Sequence, residues 1–181
     1  MTTASIHTLG KVPTTPALAV DPDIDRLTKA DQAALLGLWR QLVKGHFLQP
    51  ASLSGRTLAP WSGNLLVVRR LRGPLQFEIT LCGSSIESAL GSPGKGRLVH
   101  DLIAQSALPK AVFTGLQQCL DRGCPIYQVI DDDFGSNGNG TQALHLPVGR
   151  ANDLPTHILT HIDGLAGAAE DAAQSSARKA A

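Results

Sequence analysis

The sequence predicts an α+β domain built on an antiparallel sheet, and two periodicities lead to this prediction. Between residues 75 and 81, apolar side chains alternate with polar ones, which is typical of a strand with one buried face. Between residues 109 and 123, apolar side chains recur at helical spacing. The predicted order along the chain is one helix, two strands, short helices, a longer helix and three strands. Strands grouped in this way, with helices between the groups, indicate an antiparallel sheet in an α+β fold.

Composition indicates one globular domain and excludes several kinds of partner. The chain has 181 residues, of which 43% are hydrophobic and 17% charged, enough for a core of its own. Its formal net charge of +1 gives no general attraction to nucleic acid or to an anionic membrane. No apolar run approaches the ~20 residues that span a bilayer, and the first twenty residues lack the pattern of a secretory signal. We therefore expect a cytoplasmic protein that binds neither nucleic acid nor membrane.

Two terminal segments differ in composition from the rest. Residues 1–27 carry clusters of Thr, Pro and Ala with little periodicity, and we expect a flexible arm there. Residues 166–181 contain no large apolar side chain, which predicts a flexible Ala-rich tail. The domain itself is expected to span residues 28–165.

The predicted N-terminal helix has one strongly apolar face. Leu35, Leu36, Trp39, Leu42 and Val43 follow one another at i, i+1, i+4, i+7 and i+8. Such a stripe must be buried either against the sheet or against the same helix of a second molecule. We predict a homodimer that forms through this helix, with Leu35, Trp39, Leu42 and Val43 as the candidate interface.

The stretch from Leu75 to Gly91 predicts a strand that leads into a short helix. The alternation of residues 75–81 breaks at Gly83, after which apolar residues recur at helical spacing. Ser84 and Glu87 stand three residues apart, as in a capping box, and Gly91 is suited to end the helix. The preceding strand, residues 64–71, is expected to pair with residues 75–81 as a hairpin.

Six side chains form a candidate pocket between the predicted sheet and helices. Apolar and aromatic groups at such a position suit a small ligand, but the same residues also serve to fill a core, and both interpretations stay open. The candidate pocket residues are Phe77, Ile79, Leu81, Phe113, Leu116 and Tyr127.

Three histidines are predicted to lie away from the core. His145 stands between two leucines that are expected to face inward, so its own side chain should point away from the core. His157 and His161 share one face of a predicted strand, where a separation of ~13 Å is too long for one metal ion. No metal site is predicted, and we expect no haem, flavin or other cofactor.

The remaining motifs favour ordinary structural roles. Cys82, Cys119 and Cys124 have no metal-ligand spacing, and we expect free thiols that behave as small apolar groups. The loop at residues 91–96 has the wrong glycine spacing for a phosphate loop, and no Ser or Thr follows Lys95. The acidic run at residues 131–133 lacks the EF-hand pattern and predicts a solvated loop. No Ser/His/Asp or Cys/His grouping has supporting context.

A resemblance to a known family is carried by five short stretches. These are residues 58–65, Phe77 through Ser84 with Gly91 after it, residues 96–102, residues 123–125, and Leu144 through Val148. In this order they resemble the PAS domain, and more narrowly a bacterial family of single PAS-like domains. The resemblance extends from about residue 39 to residue 165. Ile79 and Thr80 stand where that family often has an aromatic and a basic residue, so no role of that pair is transferred.

The resemblance implies a five-stranded antiparallel sheet with helices on one face, preceded here by the N-terminal helix. It also implies a non-enzymatic sensory module that binds a small molecule or a partner protein and signals through protein–protein association. Two alternatives stay open. The first is an adaptor protein with a filled core and no ligand, and the second, least favoured, is an enzyme that uses Cys119 or Cys124 as a nucleophile.

Overall fold

The computed structural model of the protein describes Ile24, Leu27 and residues 29–43, 47–71, 76–103, 110–130, 141–149 and 155–165. The described helices are α1 (Ala30–Leu42), α2 (Gly55–Leu58), α3 (Ser84–Leu90), α4 (Val99–Ile103) and α5 (Lys110–Arg122), with short 3-10 helices at Pro50–Ser52 and Ala59–Asn64. The strands are β1 (Leu65–Arg70), β2 (Phe77–Cys82), β3 (Ile126–Ile130), β4 (Thr141–Val148) and β5 (His157–Asp163). No described helix is long and apolar enough to cross a membrane.

The described strands form one antiparallel sheet of five strands in the order β2-β1-β5-β4-β3. This confirms the predicted α+β class, the five-stranded antiparallel sheet and the hairpin formed by β1 and β2. The two halves of the chain are joined at the middle of the sheet, since β5 lies between β1 and β4. Helices α3, α4 and α5 follow β2 and precede β3.

Both faces of the sheet are buried. On one, the helix face, apolar residues of α3, α4 and α5 pack against all five strands, with Leu116 of α5 and Ile79 of β2 fully buried. On the other, the α1 face, residues of α1 pack against β1, β4 and β5, with Leu35 and Trp39 each 1% exposed. The central strands β4 and β5 are therefore buried on both sides, as their nearly continuous burial shows.

The core begins earlier in the chain than the predicted domain boundary. Ile24 is 3% exposed and Leu27 is half-buried, and both pack against the cluster on the α1 face. This part of the predicted flexible arm therefore contributes to the core. Residues 1–23 and the predicted tail from residue 166 lie outside the described residues.

The helix α3 begins one residue earlier than a capping box requires. Gly83 is the N-cap and has no side chain to bond, so Ser84 lies within the first turn. Glu87 accepts a hydrogen bond from the backbone N–H of Gly94 at 3.1 Å, and thus braces the loop after the helix. The predicted capping box is wrong. The predicted end is confirmed, because Gly91 adopts a left-handed conformation with φ 66°.

A β-bulge in β2 reverses the direction in which its last side chains point. Val68 is opposite Ile79 but Val67 is opposite Leu81, so Thr80 is the extra residue, and its hydroxyl donates to the Val67 carbonyl at 3.1 Å. One inserted residue exchanges the two faces of the strand beyond it. Leu81 is consequently 38% exposed, whereas Ile79 is fully buried. The expectation that both side chains face the same cavity is wrong.

The bulge predicts that two similar truncations in β2 lower the free energy of unfolding by different amounts. We expect Ile79→Ala to lower the free energy of unfolding by about 2–5 kcal/mol, because it leaves a cavity in the helix-face core. Leu81→Ala should lower the free energy of unfolding by less than about 1 kcal/mol, as is usual for substitutions at exposed positions. Urea denaturation of both variants measures the difference. Equal losses would mean that β2 has no bulge and that Leu81 is a core residue.

Candidate functional site

The helix face of the sheet is the location of the candidate ligand pocket, and its apolar part is packed. Phe77, Ile79 and Leu116 are buried there, and Phe113 is half-buried against them. The rings of Phe77 and Phe113 meet edge to face, with centroids 5.8 Å apart and planes inclined by 78°. Four of the six predicted pocket residues are thus brought together, and they contact one another as a core does.

The other two predicted pocket residues lie elsewhere. Leu81 is turned away by the bulge in β2. Tyr127 follows Ile126, whose side chain is in the helix-face cluster, so the alternation of β3 directs Tyr127 to the α1 face. There its hydroxyl donates to Oε1 of Gln142 at 3.0 Å. The six residues therefore do not line one cavity.

The candidate oligomer interface on α1 is largely used inside the chain. Leu35 and Trp39 belong to the core of the α1 face, and the Trp39 indole N–H donates to the Pro147 carbonyl at 3.0 Å. Leu42 and Val43 are half-buried against the same cluster. The apolar stripe is thus buried against the sheet of its own chain, the first of the two alternatives that the sequence left open.

An apolar cleft opens at the C-terminal end of α1, and we call it the α1 cleft. Leu35, Trp39, Leu48, Leu58 and Leu159 form its buried floor, while Leu38, Leu42, Leu53 and Thr57 are half-exposed around it. Its volume is about 10 Å³, room for about one water molecule. An apolar side chain of a partner is larger than this and would enter only if the leucines at the rim moved.

His145 is buried, and the prediction that it points away from the core is wrong. Leu144 and Leu146 do face a core, but it is the one on the α1 face. Alternation then directs His145 to the helix face, which is also covered, and the side chain is 0% exposed. The prediction failed because it assumed that only one face of β4 is buried.

Three polar side chains form a hydrogen-bonded row across β3, β4 and β5 beneath α5. His145 Nε2 is 3.0 Å from Gln128 Oε1, and His145 Nδ1 is 3.0 Å from Thr160 Oγ1. An amide oxygen can only accept, so the proton is on Nε2, and Nδ1 accepts from the Thr160 hydroxyl. We call Gln128, His145 and Thr160 the polar row. It ties three neighbouring strands together on a face that is otherwise apolar.

Helix α5 passes directly over the polar row at a glycine. A Cβ atom at Gly115 would overlap both Gln128 Oε1 and His145 Nε2. The absence of a side chain at this one position lets the helix backbone approach the His145–Gln128 pair. Gly115 is itself buried. The sequence contained a signal for this contact, namely a glycine in the interior of a strongly amphipathic helix, where glycine is otherwise unfavourable.

The environment of His145 keeps its ring neutral. Burial lowers the pKa of His145 from 6.5 to about 3. Between these values the unfolded chain binds a proton that the folded protein does not. The contribution of this residue to stability is therefore full above pH 6.5 and is lost progressively as the pH falls towards 3. Because both ring nitrogens are bonded and inaccessible, His145 is not arranged to transfer protons to a substrate.

His161 is also buried, on the α1 face, whereas the sequence predicted a surface residue. It is 3% exposed, and its strand β5 is covered by α1. Burial lowers its pKa, against the opposing influence of Asp163 and Asp31. His157 is half-buried, and its pKa is lowered by burial and by nearby Arg69. Within the described part of the chain, no group of three His, Cys, Asp or Glu side chains is arranged to hold a metal ion.

The three cysteines form no disulfide with one another and lie in buried or half-buried positions. Cys119 and Cys124 are buried in the helix-face core, and Cys82 is half-buried. Burial raises the pKa of Cys119 well above 9 and, together with Glu87, raises the pKa of Cys82 to about 11. A nucleophilic cysteine needs the opposite, a lowered pKa and access. The acidic run at residues 131–133 lies outside the described residues.

Comparison with known proteins does not assign the chain to a family. No family model matches it, and no curated protein sequence matches it significantly.

Because α5 lies against the polar row at Gly115, replacing glycine by alanine should have opposite effects on stability at two helical positions. Gly115→Ala forces Gln128 away from His145 and leaves a buried nitrogen unpaired, so we expect a loss of roughly 1–3 kcal/mol. Gly37→Ala, in α1, meets no atom within 4 Å, and should stabilise by about 0.5–1 kcal/mol through helix propensity. Urea denaturation of the two variants measures both changes in the free energy of unfolding. A stabilising Gly115→Ala would show that the helix does not contact the row.

Proposed function

We propose that this chain is a non-enzymatic, PAS-like signalling module that acts through association with a protein partner. The observation that supports the proposal most is the arrangement of its elements. Helices α3, α4 and α5, inserted between β2 and β3, cover one face of a five-stranded antiparallel sheet, with a further helix before the first strand. That is the arrangement which the resemblance in the sequence implies for a PAS-like domain.

The packing of the helix face favours a protein partner over a small molecule. Phe77 and Phe113 are in ring contact, and α5 lies against the polar row through Gly115. A small ligand between the sheet and the helices would have to displace these contacts. The same packing supports the alternative proposal, an adaptor with a filled core whose association is not regulated by any ligand.

The α1 cleft is the surface that we propose for association. Leu38, Leu42 and Leu53 are half-exposed apolar groups grouped at one place, which is the usual character of the centre of a protein interface. Leu42 and Val43 belong to the interface predicted from the sequence, and both are half-buried, so part of each side chain remains at the surface. A homodimer is the simplest association, with one copy of α1 meeting the other at this end. A cytoplasmic location stays a prediction from the sequence.

The protected thiols disfavour the cysteine-enzyme alternative. An enzyme of that kind needs a thiolate at neutral pH, and burial of Cys119 favours the protonated thiol.

The proposal predicts that a charge at the cleft weakens association. We expect the whole protein to be dimeric by analytical ultracentrifugation, and Leu42→Glu to weaken the dimer at least about tenfold, since about 1.4 kcal/mol of lost contact suffices. Gln41→Glu places the same charge at an exposed position of α1 and should leave the dimer intact. Native mass spectrometry of the same samples should show no bound small molecule.

Three results count against the proposal. A wild-type protein that stays monomeric at every concentration reached would reject the homodimer, and equal effects of Leu42→Glu and Gln41→Glu would reject the cleft as its site. A co-purified small molecule would reject the filled core. If Leu42→Glu unfolds the chain, Leu42→Gln gives the same comparison at a smaller cost to the α1 face.

A further inference from the structure

We draw no further inference here: the strongest candidate, the outer edge of the sheet at β3, where Val129 is 53% exposed, carries nothing because the neighbouring Tyr127 and Ile130 are buried and nothing in the structure shows what covers Val129.

Discussion

The burial of β4 and β5 on both faces is the constraint on which the rest of the structure depends. The buried polar side chains on these two strands must find partners inside the protein, because they cannot reach bulk water. On the helix face, His145 and Thr160 meet this requirement together with Gln128 of β3, through two hydrogen bonds of 3.0 Å. The neutral imidazole suits this role since it donates on one side and accepts on the other.

The two layers that cover the sheet satisfy this constraint differently. Helix α5 reaches the polar row through Gly115, which has no side chain to hold it away. Helix α1 brings a polar side chain of its own, Gln32, whose amide donates to the Gln142 carbonyl at 3.4 Å. The helix face is therefore closed by direct contacts, while the α1 face combines apolar packing with a polar patch and a small cleft. The cleft through which we propose that the protein associates therefore lies on the α1 face.

Much of the fold could be predicted from local sequence patterns. The errors concern how distant parts of the chain pair and pack. Alternation located β1 and β2 to within two residues, helical spacing located α5 to within one, and Gly91 ended α3 as expected. Leu81 was misplaced because a bulge leaves no mark in the alternation of residues 75–81. His145, His161 and Tyr127 were misplaced because a sequence does not show which face of a strand another element covers. The polar row joins residues 128, 145 and 160, whose proximity depends on strand order and register.

The account rests most directly on the state of the His145 ring, which nitrogen-15 NMR of the histidine side chains measures. With the signal assigned by its loss in His145→Gln, we expect a neutral ring with its proton on Nε2 at every pH from about 8 down to about 4. The bonds to Gln128 and Thr160, and the burial beneath α5, require this result. A ring that titrates near pH 6.5 would contradict the burial of the polar row beneath α5. A proton on Nδ1 would contradict the direction of its two hydrogen bonds.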